Sequence, residues 1–345
     1  MQRDDTWIGA TLRSTRMLTP GIREFTLAPD EGAAPYPTGA HLRIRLDVGS
    51  RVITRHYSLV GATPRDGTWR IAVQREEGGR GGSRAMWALQ AGARLTISRP
   101  TSHFELAAAA PEVLLLAGGI GITPLIGMAE ALQRRDARFR LLYAGRSRAA
   151  MAYVPELEAM LGVALRVQAE DEAGRPDLPA IFAALAPGAE AYVCGPMGLL
   201  AAARRAWAAA ARPPASLVFE TFGTAGHAEP RPFTVRIPRL AREVVVPADT
   251  TMLEALEAAG VGVLSDCRRG ECGLCALDVL AVEGSVDHRD VFFSDRQHAE
   301  DRRICACVSR LAGGSITIDP PWRGDASLTP GHEGRLHPEA PGRLD

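Results

Sequence analysis

Three cysteines fall inside one short stretch, "DCRRGECGLCA" from Asp266 to Ala276, and nothing else in the chain limits its fold as tightly. Cys267, Cys272 and Cys275 follow a Cys-x4-Cys-x2-Cys spacing in a chain with six cysteines in all. The longest apolar runs, such as "VLLLAGGIGITPL", are interrupted by glycine and too short to span a bilayer, and "MQRDDTWIGA" carries no apolar signal segment. A soluble protein of the cytoplasm is therefore expected. In that reducing compartment clustered thiols hold metal or do redox chemistry more often than they form disulfides.

A zinc site usually presents two thiol pairs at short, similar separations. Three thiols from one loop and a fourth from a distant segment match the plant-type arrangement for a 2Fe-2S cluster instead. One loop wraps such a cluster, with Gly270 and Gly273 letting backbone amides approach the sulfides, while another element closes the cage. The metal ligands expected are Cys267, Cys272, Cys275 and one thiol of "ICACVSR"; spacing does not choose it, but "CVSRLAGGSITI" resembles the stretch after the last ligand in plant-type ferredoxins, which favours Cys307. Cys305 lies two residues earlier and stays open as the alternative, because an extended backbone puts both side chains on one face.

The rest of the chain divides by texture. From Trp7 to about Pro100, short alternating segments such as "HLRIRLDV" (41–48), "RHYSLVG" (55–61) and "WRIAVQRE" (69–76) are parted by Gly, Pro and Asp, the pattern of a small antiparallel barrel or sandwich. From Pro111, apolar runs alternate with Ala-rich helical stretches, which implies a doubly wound parallel sheet. "GTAGHAEPRP" (223–232) reads as an exposed linker, and "FTVRIPRLAREVVVPADTTMLEALEAAGV" as two strands and a helix leading into the thiol loop. The final stretch from Trp322 has little to pack and is expected to be disordered. A net charge of zero, from 40 basic and 40 acidic residues, argues against a nucleic-acid partner.

Two strand-turn-helix elements carry nucleotide signals. In "EVLLLAGGIGITPLIGMAEAL", Gly118, Gly119 and Gly121 would let backbone approach a pyrophosphate at the following helix N-terminus. "AYVCGPMGLLAAARRAW" is a second strand ending in a glycine-proline turn, and two such turns at strand C-termini are where an open α/β sheet takes its ligand. A phosphate could also be met by "EEGGRGGSRAMWAL", which offers Gly81, Gly82 and Ser83 at a helix start, with the charge of Arg80.

"GGIGITP" and "CGPMGLL" resemble the nicotinamide motifs of the ferredoxin-NADP reductase superfamily, and "RHYSL" its flavin motif, Arg-x-Tyr-Ser. The order flavin domain, nicotinamide domain, C-terminal plant-type ferredoxin resembles the phthalate dioxygenase reductase family, which includes vanillate demethylase reductase subunits. The resemblance covers roughly residues 7–322. It implies a multi-domain α/β and β protein: an antiparallel β-barrel flavin domain (1–106), a doubly wound parallel α/β nicotinamide domain (107–224), a linker (225–232), a plant-type ferredoxin (β-grasp) domain (233–322) and a tail (323–345). It places Arg55 on the flavin phosphate, Tyr57 by the flavin and Ser58 near N5, with His56 in the variable position. "VFETFG" matches the terminal Glu-x-Phe, which puts Phe222 near the flavin face and Glu220 near the nicotinamide.

As the cysteine before Gly-Pro does in the family, Cys194, with Gly195, Pro196 and Met197, would lie beside the nicotinamide, and not as a nucleophile. Ser58, Cys194 and Glu220 thus form the expected catalytic set, and Thr123 and Pro124 complete the first nicotinamide turn. FMN is favoured over FAD, because no segment suits an adenosine half and the resembling family uses FMN. Arg146, Ser147 and Arg148 could grip a 2′-phosphate, whereas Asp171 could bond a ribose diol and repel one; the resemblance favours NADH. Electrons would pass as hydride from nicotinamide to flavin, singly to the cluster, and on to a terminal oxygenase of Rieske type, with the reductase monomeric. A reductase for a cytochrome P450 or other monooxygenase would share every site. A non-enzymatic iron-sulfur carrier would lack the flavin that "RHYSL" and "GRGGS" imply.

Overall fold

The computed structural model describes residues 7–49, 51–64, 66–78, 81–107, 110–222 and 229–320. Arg80, the first half of the expected linker (225–228) and the expected tail lie outside these residues. The chain divides into two compact units, Met1–Gly223 and Thr224–Asp345.

In the first unit, six antiparallel strands form one sheet, in the spatial order Arg51–Ser58, His41–Val48, Arg94–Ser98, Trp7–Thr19, Ile22–Pro29, Trp69–Gln74. Alternation explains its core: Ala10, Leu12, Phe25, Leu27, Leu42, Ile44, Trp69 and Ile71 all point inward and are buried. The expected barrel is not closed by a continuous ladder. Among the described residues its two end strands meet at a single bridge, Leu59↔Ile71, which includes the hydrogen bond from Val60 N–H to Arg70 O. Immediately afterwards Gly61, at φ +93, turns the chain away, and the Ala62 amide bonds the Glu130 carboxylate at 2.7 Å instead of continuing the sheet.

A five-stranded parallel sheet follows, in the spatial order Leu217–Thr221, Glu190–Gly195, Val113–Gly118, Phe139–Gly145, Leu165–Ala169. The strand order reverses between Val113–Gly118 and Glu190–Gly195, so the crevice of this doubly wound sheet opens between their C-terminal ends. Helices Ile122–Arg134 and Met197–Ala209 start from those two ends. The two sheets of this unit share buried neighbours: Ile22, Val60 and Ala72 pack in one core with Leu115, Met128 and Tyr143. A polar tie accompanies them, the Tyr153 hydroxyl donating to Glu24 at 2.8 Å.

The second unit is a mixed five-stranded sheet, in the spatial order Arg242–Val246, Phe233–Ile237, Ser315–Asp319, Ala276–Glu283, Arg303–Cys305. The predicted hairpin and helix are present, with helix Met252–Ala258 opened by a capping box in which Thr251 and Glu254 satisfy each other's amides. Leu253 and Leu256 from that helix join Val235, Ile237, Ile304 and Ile316 in the core. No helix among the described residues is long and apolar enough to cross a membrane.

Candidate functional site

On the flavin sheet, Arg55, His56, Tyr57 and Ser58 end strand Arg51–Ser58, in register with Ile44, Arg43, Leu42 and His41. Tyr57 packs against the sheet core, and burial pushes its phenol up, Arg55 opposing. Arg55 lies across the start of helix Gly82–Ala88: a Cβ on Gly82 would stand 2.6 Å from Arg55 Nε and 2.8 Å from its Cγ. Only glycine leaves room for that side chain against the turn, where Gly81 takes φ +87. The guanidinium donates to Thr54 O at 2.8 Å and lies against the turn that opens this helix, so a phosphate there would meet a fixed positive charge. The Ser83 hydroxyl is already engaged, accepting from Glu76 N–H at 3.1 Å, a partner that spacing did not reveal.

The glycines of the parallel sheet have a second cause. A Cβ on Gly121 would sit 2.2 Å from the carbonyl oxygen of Cys194, one on Gly118 would sit 2.7 Å from Pro196 Cδ, and one on Gly195 would sit 2.9 Å from Gly118 Cα. The two turns thus lie backbone against backbone, and a side chain at any of the three positions would pry them apart. Gly119, at φ +54, has no neighbour within 4 Å of a notional Cβ, so its side of the turn is open to the crevice. Thr123 is buried, its hydroxyl donating to Ile120 O at 3.0 Å, and Pro124 is buried in the first turn of helix Ile122–Arg134. Met197 opens helix Met197–Ala209 behind Pro196.

Cys194 is fully buried and directly opposite Glu220 in the parallel register. Ser58 Oγ donates to Glu220 Oε2 at 3.3 Å, with both residues buried, so the end of the flavin strand meets the end of strand Leu217–Thr221. Phe222, the next residue but one, is 39% exposed. Farther along the same sheet edge the Asp171 amide bonds Arg146 O at 3.2 Å, and both side chains are exposed. Arg148 is ion-paired with Glu158.

In the second unit, the loop between Val261 and Ala276 is irregular, with left-handed residues at Arg268, Gly270 and Gly273. It curls around Cys267: the amides of Arg269, Glu271 and Cys272 all point at its sulfur from 3.4 Å. The Cys267 and Cys272 side chains touch, as do those of Cys275 and Cys307, and the Gly270 amide is directed at the Cys307 sulfur. The thiols of Cys305 and Cys307 both bond Cys275 and draw its pKa down to about 4. Cys267, Cys275, Cys305 and Cys307 are buried, and Cys272 is half-buried. Two adjacent thiol pairs, with amides directed at them and with Cys272 and Cys275 both drawn below the ordinary thiol pKa by their neighbouring thiols, fit a 2Fe-2S cluster.

The segment before Cys305 was missed by the sequence reading. Val291 N–H bonds Gly270 O at 3.0 Å, and a Cβ on Gly273 would strike the Phe292 ring at 2.2 Å, so residues 290–292 lie on the thiol loop. Asp290 holds them there, accepting from Phe293 N at 2.9 Å and Ser309 Oγ at 3.1 Å. Only the capping pair Ser294 and Gln297 marks this region locally. Arg268 and Arg269 are paired with Glu257 and Glu271, while Leu274 and Phe292 are exposed.

Residues 10–106 match the family described as oxidoreductase FAD-binding domain, 115–205 the oxidoreductase NAD-binding domain, and 235–312 the 2Fe-2S iron-sulfur cluster binding domain. The phthalate dioxygenase reductase of Burkholderia cepacia is 32% identical over 92% of this chain and 98% of its own. A solved phthalate dioxygenase reductase superposes with a TM-score of 0.77 at 31% identity, covering 92% of this chain and 99% of that one. The chain belongs to the phthalate dioxygenase reductase family. Among its relatives is the heme-dependent oxidative N-demethylase beta subunit of Ectopseudomonas mendocina (strain ymp), 36% identical over 91% of this chain and 99% of that protein. As a member of the family it is an oxidoreductase with flavin-binding, nicotinamide-binding and 2Fe-2S domains.

Proposed function

We propose that this protein is the reductase component of a two-component oxygenase or demethylase, carrying electrons from NADH through FMN and a 2Fe-2S cluster to a Rieske-type terminal oxygenase. The observation that carries this reading is the buried Ser58–Glu220 contact, which sets the flavin strand against the strand end where Cys194 and Glu220 stand. Bound flavin would supply the exchange between hydride and single-electron chemistry. Arg55 and the Gly81–Gly82 turn would hold its phosphate, Tyr57 and Phe222 would border its ring, and Ser58 would stand near N5. The nicotinamide would lie over Gly119 beside Cys194, with Asp171 at the ribose. Cys267, Cys272, Cys275 and Cys307 would ligate the cluster, an assignment supported by the Gly270 amide at the Cys307 sulfur.

The domain limits fit this division of labour: flavin 1–106, nicotinamide 107–224, linker 225–232, ferredoxin 233–322, tail 323–345. The exposed side chains of Leu274 and Phe292 beside the thiol loop suit a largely apolar contact with the oxygenase. We further take the protein to be a cytoplasmic monomer. A second reading, supply of a heme-type oxygenase, is favoured by the name of the N-demethylase relative.

Purified protein decides among these. Heat release followed by chromatography should yield FMN; FAD overturns the choice of flavin, and no flavin at all leaves an iron-sulfur carrier. Turnover with NADH should exceed that with NADPH at equal concentration. Electron delivery to a Rieske oxygenase but not to a heme-type partner supports the primary reading, and the reverse replaces it.

A further inference from the structure

Among the described residues, one group outside the thiol loop brings imidazole and carboxylate ligand atoms together: His288, Asp290 and His298, with one atom from each side chain lying within 4.8 Å of the others. The Asp290 side chain is fully buried at the centre, with His298 Nε2 3.1 Å from its Oδ2 and His288 Nδ1 3.8 Å from its Oδ1. The His288 side chain is only 9% exposed, and its two nitrogens are placed differently. Nε2 meets the Asp301 carboxylate, an acceptor, at 2.9 Å and so carries the proton, whereas Nδ1 is buried with no hydrogen-bond partner and faces Asp290. A ring lone pair and a carboxylate oxygen 3.8 Å apart, too far for a hydrogen bond, repel each other and both attract a cation. The two imidazoles stack at 4.4 Å and 19°, which disfavours a proton charge on both rings at once.

We propose that His288 Nδ1, the Asp290 carboxylate and His298 Nε2 form a second metal site, which takes a divalent cation of the zinc type and clips residues 288–298 onto the thiol loop. Bonds of about 2.0–2.2 Å in a tetrahedral sphere set ligand atoms about 3.3–3.6 Å apart, a range that the observed 3.1 and 3.8 Å bracket. Two imidazoles and one carboxylate suit zinc, whereas calcium and magnesium favour oxygen throughout. Outer partners are in place as well: Asp301 orients His288 through Nε2–H, and Ser309 Oγ donates to Asp290 Oδ1 at 3.1 Å. Nearby cations are already neutralised, Arg289 by Asp287 at 2.6 Å and Arg303 by Asp278 at 3.3 Å. His298 is 22% exposed, so water can complete the sphere and carry its Nε2 proton to Nδ1 as the metal binds, leaving the ring neutral. The role is structural. A Cβ on Gly270 would stand 2.9 Å from Asp290 Cα, and Val291 N–H bonds Gly270 O, so a metal here braces the segment that covers the cysteines.

The holoprotein and its His298→Ala and His288→Ala variants are each given equimolar Zn²⁺ at about pH 8, where ordinary imidazoles are neutral, then dialysed and compared for zinc, iron and flavin content. The wild type should retain one zinc beside its cluster iron. Each variant should bind zinc about a hundredfold or more weakly while keeping iron and flavin, since even an outer partner is worth tenfold to about a hundredfold in metal affinity. X-ray absorption at the zinc edge should show nitrogen and oxygen neighbours at about 2.0–2.2 Å and no sulfur. Zn²⁺ should also raise the thermal midpoint of the wild type and leave that of His298→Ala unchanged. Zinc–sulfur distances of about 2.3 Å would put the metal among the thiols and overturn the site. A wild type that retains no zinc overturns it too and makes His288 an imidazolium between Asp290 and Asp301, as does equal retention by all three proteins. Should a variant fail to fold, the zinc count and edge spectrum of the wild type decide alone.

Discussion

Ser58 and Glu220, 162 residues apart, meet through a buried 3.3 Å hydrogen bond from the serine hydroxyl to the glutamate carboxylate. Removing the donor leaves a buried carboxylate short of a partner, a cost of about 1–3 kcal/mol. The proposed place of Ser58 near flavin N5 gives the kinetic prediction: Ser58→Ala should slow flavin reduction by NADH roughly tenfold, about 1.4 kcal/mol in the barrier. Stopped-flow absorbance at the flavin band measures this, and an unchanged rate would remove Ser58 from the proposed site.

Arg55 lies across Gly82 with no space for a side chain between them. Gly82→Val should displace the guanidinium and weaken flavin retention by about tenfold or more, the loss of a charge-assisted phosphate contact being worth roughly 1.5–3 kcal/mol. Arg55→Ala should do the same with the turn left intact. Fluorescence titration of apoprotein with FMN reads both, and equal affinity in all three proteins would place the phosphate elsewhere.

Gly121 and Gly119 are two positions apart in one turn, yet substitution should divide them. A methyl group on Gly121 would press on the Cys194 carbonyl from 2.2 Å, so Gly121→Ala should cost about 3 kcal/mol or more and lower Tm by roughly 6 °C or more. Gly119→Ala meets open space and only the strain of φ +54, roughly 1–2 kcal/mol. Thermal melts that rank them in the opposite order would contradict the packing of the two turns.

Glu112 is a buried carboxylate at the start of strand Val113–Gly118. Burial alone would raise its pKa, but the Ala186 amide at 2.9 Å, Arg140 at 2.9 Å and the more distant Arg138 outweigh burial and hold it below the ordinary value. A depressed folded-state pKa means stability that is fully present above the unfolded value of 4.5 and is lost as pH falls through the folded value. Denaturant unfolding between pH 3 and pH 7 should show a shallower acid loss for Glu112→Gln, with lower stability at pH 7; parallel curves would deny the coupling.

Much of the candidate site was legible locally. The thiol loop, the glycine turns and the Arg-x-Tyr-Ser segment are each contiguous, and their chemistry depends on spacing that a chain carries with it. Less visible was anything that depends on a distant neighbour. No local signal showed that Glu76 would donate to the Ser83 hydroxyl, or that Arg268 and Arg269 would pair with Glu257 and Glu271. Residues 290–292 carry no periodicity to announce that they cover the thiol loop.

By itself the sequence determined which groups are present and which short segments bring them together: three thiols on one glycine-bearing loop, two glycine turns at strand ends, alternation in the flavin strands. Tertiary structure alone decided why Gly118, Gly121 and Gly195 must lack side chains, because only the parallel register lays one turn on the other. It also decided that the flavin sheet stops at one bridge, since Gly61 hands its neighbour's amide to Glu130, and that Cys305 ends opposite Ala276. The physical reason is the same throughout: spacing along the chain sets what a segment can offer, while burial and pairing across the chain set which partner takes it.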